Sequence, residues 1–307
     1  MSTVADAVLK IAPASHCERS LRSNLPVNEG DCFVAHYAPR NDFSSAVPHG
    51  GFAPAPRPAW TIASASLRTI LQDRIAAVQA RIAAAARRAG RDPAEVTLVA
   101  VTKTQPAAVV VAACRAGLKI FGENRVEEAG PKAAEVAGLL TPDPPPAWHM
   151  IGHVQSRKAA DVLPWASMIH SVDSEKLARR LSRFCAEAGV TLSILLELNV
   201  AAEASKYGLA PADAGRAVEA IAALPGLCIV GLMTMAPIAA DPEETRPVFA
   251  GLRRLRDDLS RRFPEVDWRH LSMGMTDDFE VAVEEGATLV RIGRAIFPQS
   301  DQLPGDK

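Results

Sequence analysis

The chain has 307 residues, of which 48% are hydrophobic and 22% charged, the make-up of a globule able to bury a large core. With 34 basic against 35 acidic residues the formal net charge is −1, which argues against nucleic acid as a main partner, since phosphate binding needs a basic excess or stripe. Cys17, Cys32, Cys114, Cys185 and Cys228 are scattered without a C-x-x-C pair, so a zinc ribbon is excluded and a reduced, cytoplasmic setting is expected rather than a disulfide framework.

Residues 1–59 read as a disordered or loosely attached leader. They hold seven of the 23 prolines and no sustained apolar period. No basic cluster followed by an apolar run marks a secretory signal, and Glu18, Glu29, Asp31 and Asp42 speak against a transit peptide. From Ser66 the chain becomes regular. Leu67, Ile70, Leu71, Ile75, Val78 and Ile82 form the stripe of an amphipathic helix, with stop signals at Gly90 and Pro93.

Eight short apolar runs follow: Thr97–Lys103, Leu118–Asn124, Trp148–His153, Ser167–Asp173, Thr191–Val200, Cys228–Met235, Trp268–Met275 and Thr288–Gly293. Most are rich in Val, Ile and Leu, as in strands covered on both faces. Helix candidates lie between them, including Pro106–Ala116, Ser174–Ala188, Pro211–Ala223, Glu243–Arg262 and Asp277–Glu285. Eight alternating units over 60–307 predict a single (β/α)₈ barrel. A doubly wound sheet is the alternative, but no G-x-G-x-x-G follows the first strand. The uncharged stretch Ala220–Ala240 is long enough to span a membrane, yet Pro225-Gly226, Gly231 and Pro237 break it, so a helix end, a turn and a buried strand are expected instead.

In a barrel the chemistry lies where the strands end. Those positions carry Lys103, Glu123-Asn124, His153, Asp173, Asn199, Thr234, Ser272 to Thr276, and Arg291 to Gly293. Lys103 would sit at a partly desolvated mouth, where burial favours a nucleophilic amine, but taken alone it reads more readily as a lysine that reaches water from a strand end. Gly274 and Gly293 would let backbone amides approach a phosphate, with hydroxyls from Ser272 and Thr276, although short βα turns need glycine anyway. Thr276 is expected to cap the next helix. Closure would set the eighth strand beside the first and bring Lys103 next to these turns. His149 and His153 lie four apart but no third metal ligand is evident, so no metal is expected. Lys206 is a second loop lysine, readable as solvated or ligand-facing.

Several segments, in order and at proper spacing, resemble one known family. They are Ala100-Val101-Thr102-Lys103-Thr104, Phe121-Gly122-Glu123-Asn124, Trp148-His149-Met150-Ile151-Gly152, Gln155-Ser156-Arg157-Lys158 and His170-Ser171-Val172-Asp173-Ser174. They continue with Ser205-Lys206-Tyr207-Gly208, Gly231-Leu232-Met233-Thr234-Met235, Leu271-Ser272-Met273-Gly274-Met275-Thr276 and Val290-Arg291-Ile292-Gly293. Between about Leu67 and Pro298 the chain resembles the pyridoxal phosphate homeostasis proteins, the YggS/PROSC family. It departs from them at His153-Val154-Gln155 and Arg157.

The resemblance implies a barrel like the N-terminal domain of alanine racemase, with pyridoxal 5'-phosphate (PLP) held as an aldimine on Lys103. It implies Arg291 near the pyridine nitrogen, Ser272, Thr234, Gly274, Thr276 and Gly293 around the phosphate, and Asn199 facing the ring. The function implied is intracellular vitamin B6 and amino-acid homeostasis, with PLP-dependent apoenzymes as candidate partners, no membrane partner and a monomeric state. The alternatives are a fold-type III PLP enzyme, an amino-acid racemase or decarboxylase, and a phosphate-binding barrel without a covalent cofactor. Little or no racemase turnover is expected: the chain has only Tyr37 and Tyr207 to supply a second base, and 14 residues remain after Gly293 for a further domain.

Overall fold

The computed structural model describes residues 60–203 and 207–297, with side chains from 67 onward. The expected leader lies outside the described residues.

The first helix, α1 (Trp60–Arg88), starts several residues before the apolar stripe that announces it. The stripe faces inward: Leu71, Ile75, Val78 and Ile82 are buried, joined by Ala85 and Ala86. Eight strands then alternate with helices: β1 (Thr97–Val101), α2 (Ala107–Arg115), β2 (Ile120–Glu123), α3 (Val126–Leu140), β3 (Ala147–Met150), α4 (Ala159–Val162), β4 (Met168–Val172) and α5 (Glu175–Ala188). The second half comprises β5 (Leu192–Glu197), α6 (Ala214–Ala222), β6 (Leu227–Met233), α7 (Arg246–Arg262), β7 (His270–Ser272), α8 (Phe279–Glu284) and β8 (Leu289–Ile292). The strands are parallel and close into a barrel in sequence order. β8 returns to β1 with Thr97 opposite Leu289 and Ala100 opposite Ile292.

All eight expected runs are strands, each shorter than its apolar run because the run continues into the turn beyond. The helix α3, with Pro131 inside it, is one that the sequence reading did not single out. Ala220–Ala240 resolves into the end of α6, a turn and β6, as expected. Among the described residues no helix is long and apolar enough to cross a membrane.

Two layers of packing follow from the strand pleat. One side of each strand meets the helices, where Phe121, Ile169, Ile194, Leu196 and Leu271 join buried helix residues in one large core. The other points into the barrel, where Val99, Ile151, Leu195, Val230, Met233 and Leu289 form a smaller apolar cluster. The helices carry their own stops. In α5, Ser174 Oγ accepts from Leu177 N–H and Gly189 closes the helix at φ +66°, while Leu177, Ala178, Leu181 and Cys185 make the buried face.

Candidate functional site

The site grows from the ends of β1, β2, β7 and β8. Beyond β1, Thr102 is buried, and its hydroxyl donates to Glu123 Oε1 at 2.6 Å. Lys132 of α3 donates to the same oxygen at 2.7 Å and to the Thr102 carbonyl at 3.0 Å. This cross-brace fixes the chain from which Lys103 departs, and Thr104 follows in the left-handed region at φ +67°. Lys103 itself is exposed. The reading of a partly desolvated amine is therefore corrected: β1 stops at Val101, and the turn after Thr102 carries the side chain out into solvent. Asn124 follows β2, and its Oδ1 is buried without a hydrogen-bond partner among the described residues.

On the other side of β1 lie the β7 and β8 turns. Gly274 has φ +88°, and a Cβ there would fall 2.5 Å from Ala282 Cβ and 2.9 Å from Phe279 Cα, so close packing of α8 requires a glycine at this point. Its carbonyl accepts from Arg291 N–H at 3.0 Å. Among the described residues the N–H groups of Gly274, Gly293 and Arg294 meet no acceptor. Thr276 is not the cap expected for α8. That helix begins at Phe279 after Asp278, whose carboxylate turns back to accept from Met275 N–H at 2.6 Å, leaving Thr276 half-buried in the turn.

The barrel interior carries a polar layer. Arg291, 4% exposed, donates through Nη1 to Ser272 Oγ at 2.6 Å and through Nη2 to the Thr234 carbonyl at 3.1 Å. Two of its five N–H groups are thus engaged by described residues. Burial pushes the guanidinium down to about 10, against the opposing pull of Glu197 and then Asp278, so it is charged at neutral pH. Glu197 is buried at the end of β5; burial and then Asp173 push its carboxyl up to about 7, with Arg291 opposing.

Ser272, expected at a phosphate, is fully buried with its hydroxyl between Arg291 and His170. The Thr234 hydroxyl donates to the Leu198 carbonyl at 2.7 Å. Asn199 braces its own loop, donating to the Glu203 carbonyl at 2.8 Å and accepting from Glu203 N–H at 3.2 Å. The structure therefore brings Lys103, Gly293, Arg291 and Ser272 to one side of the barrel, whereas the hydroxyls of Ser272 and Thr234 already have partners.

His149 and His153 go separate ways. His149 is buried, with Nδ1 3.0 Å from His170 Nε2, while His153 stacks on Tyr207 with ring centroids 3.8 Å apart and sets Nδ1 2.9 Å from Asp173 Oδ2. Among the described residues no group of His, Cys, Asp and Glu could hold a metal ion. Lys206 lies outside the described residues. Glu197 and the interior partnership of His170 were missed by the sequence reading. Their one available signal was a polar side chain at an inward position of an otherwise apolar strand.

Together these groups offer anion-accepting amides, a buried cation with unused donors, an unpaired buried acceptor and a rim lysine. The amides and the buried cation suit a small anionic ligand.

Comparison with known proteins meets this geometry. The family of the alanine racemase N-terminal domain matches residues 74–301. The pyridoxal phosphate homeostasis protein of Pseudomonas aeruginosa is 45% identical over 231 residues, spanning 75% of this chain and 96% of that protein. Its counterpart in Aquifex aeolicus is 39% identical over 225 residues, 73% of this chain and 96% of that one. The solved structure of PipY from Synechococcus elongatus with PLP bound has 35% identity and a TM-score of 0.65, covering 74% of this chain and all of PipY. On its fold and on these similarities, the chain belongs to the pyridoxal phosphate homeostasis protein family, built on the alanine racemase N-terminal domain.

Proposed function

We propose that this chain binds PLP at the C-terminal mouth of its barrel through Lys103, and that it serves intracellular vitamin B6 and amino-acid homeostasis as a carrier. The observation that carries the reading is Arg291: a buried guanidinium with unused donors, on the strand paired with the one that leads to Lys103. Bound PLP supplies an aldehyde that amines attack and a ring nitrogen that accepts a hydrogen bond. Lys103 Nζ, once it has released a proton to solvent, would be the amine that attacks that aldehyde. Gly274, Thr276 and Gly293 are assigned to the phosphate, and Asn199 to the edge of the site. Ser272 and Thr234 contribute by holding Arg291.

Arg291 bears on carrier against enzyme. A guanidinium stays protonated and can only donate, so a ring nitrogen beside it stays unprotonated and withdraws fewer electrons from a substrate carbanion. That favours holding and handing on the cofactor over turnover. PLP-dependent apoenzymes are the partners this role calls for, and the cytoplasm is the compartment proposed.

Titration of the full chain with PLP tests the reading. The wild type gains a near-ultraviolet or visible band distinct from free PLP. Lys103→Ala loses that band, and Lys206→Ala keeps it. A band that survives in Lys103→Ala and disappears in Lys206→Ala overturns the assignment.

A further inference from the structure

The interior polar layer contains a continuous chain of hydrogen bonds that the binding site alone does not call for. It runs from Arg291 Nη1 to Ser272 Oγ (2.6 Å), from Ser272 Oγ to His170 Nδ1 (2.8 Å), and from His170 Nε2 to His149 Nδ1 (3.0 Å). The four residues sit on β8, β7, β4 and β3. Since β4 and β7 are not neighbours in the barrel, the His170–Ser272 bond crosses the interior.

The chain has only one direction that leaves no buried donor stranded. Arg291 is a pure donor, so Ser272 Oγ accepts from it. The Ser272 proton must then go elsewhere, and among the described residues the acceptor within reach is His170 Nδ1. That nitrogen is therefore unprotonated, and the His170 proton is on Nε2, donating to an unprotonated His149 Nδ1. In the reverse order both rings carry the proton on Nδ1, and the Ser272 hydroxyl is buried with nothing to donate to. Such a stranded group costs roughly 1–3 kcal/mol, which corresponds to a preference of about fivefold to more than a hundredfold for the forward order. The scheme needs both rings neutral. Burial supplies this, pushing His149 down to about 3 and His170 well below the ordinary histidine range, with neighbouring positive charge acting the same way.

We propose that His170 and His149, acting through Ser272, are positioning residues for Arg291: a one-way chain of two Nε2–H imidazoles and a serine hydroxyl locks the guanidinium in a single orientation, its remaining N–H groups facing the cofactor. The last clause rests on the function proposed above; the tautomers and the locking do not. A guanidinium held at one Nη by a hydroxyl that is itself held cannot rotate freely about its Nε–Cζ bond. The Thr234 carbonyl on the other Nη completes the lock.

The test begins with the cofactor-free full chain. Nitrogen-15 NMR should show His149 and His170 as Nε2–H tautomers at neutral pH and resolve separate, slowly exchanging Nη signals for Arg291. An Nδ1–H tautomer or an imidazolium at either ring overturns the chain direction. His170→Leu removes the acceptor for Ser272 and should merge the Arg291 signals, whereas His170→Asn, whose Oδ1 can stand for Nδ1, should keep them separate. With PLP, His170→Leu and Ser272→Ala should shift the absorbance maximum alike and weaken binding about tenfold, and His170→Asn should track the wild type. Unchanged spectrum and affinity in folded His170→Leu and Ser272→Ala overturn the positioning role. If His170→Leu does not fold, Ser272→Ala and the wild-type tautomers decide it. A wild type that gains no band with PLP contradicts the proposed function instead, and the tautomers and the Arg291 signals still settle the locking.

Discussion

Lys103 leaves the barrel from a turn held by a buried ion pair, and the strength of that pair is open to measurement. Glu123 is 1% exposed and its carboxylate meets both Lys132 and Thr102. Removing one partner leaves the other charge buried and uncompensated, a loss of roughly 3–5 kcal/mol. Lys132→Met should therefore lower the urea midpoint sharply, and Glu123→Gln combined with Lys132→Met should regain part of the loss, because the double variant buries no charge. A single variant with the wild-type midpoint would contradict the brace. At this scale the sequence placed Lys103 just beyond β1 and Arg291 near the end of β8, where the structure has them. It could not show that Ser272 and Thr234 are already hydrogen-bonded, since those partners come from other strands and meet only in three dimensions.

At the scale of elements, the alternation of apolar runs and helical stripes was enough to predict eight strands and a barrel, because strands covered on both faces leave uninterrupted runs of Val, Ile and Leu. Their ends were less legible: Met273 to Met275 is as apolar as the strand it follows, and Leu198 and Val200 continue the apolar run of β5 on either side of Asn199, although the first segment belongs to a turn and the second to a loop. The start of α8 was misplaced because Thr276 and Asp278 are both good capping residues, and only the folded turn selects between them. Gly231 shows what a single position can require of an element. It sits in β6 at φ +144°, and a Cβ there would lie 1.9 Å from the His270 carbonyl oxygen of the paired β7. Gly231→Ala must push the two strands apart, and a loss of about 3 kcal/mol or failure to accumulate folded protein is expected. Wild-type stability of Gly231→Ala in urea would show that the strand pairing tolerates the shift.

For the whole molecule, the interior polar layer predicts how stability varies with pH. His149 and His270 are held down to about 3 and about 4, chiefly by burial, and His170 lies well below its ordinary value. Below about pH 6.5 the unfolded chain takes up protons that the folded one refuses, so this stability is present above that pH and is lost on acidification, by at most ~1.4 kcal/mol per pH unit for each group. Glu197 acts in the opposite sense: with its carboxyl raised to about 7, its contribution is present below the unfolded value and is lost as pH rises through 7. Unfolding free energy should thus fall from pH 7 to pH 5, and Glu197→Gln should steepen that fall; a flat profile would contradict the buried, neutral histidines. The leader expected at 1–59 carries no periodic apolar face, so we propose that it is dispensable, and its deletion should leave melting temperature and PLP content nearly unchanged. The central claim, a cofactor held covalently by Lys103, is tested most directly by loading the full chain with PLP, reducing it with borohydride and mapping the modified peptide by mass spectrometry. One pyridoxylated residue, Lys103, is expected; modification confined to another lysine, or none, would overturn covalent attachment at Lys103.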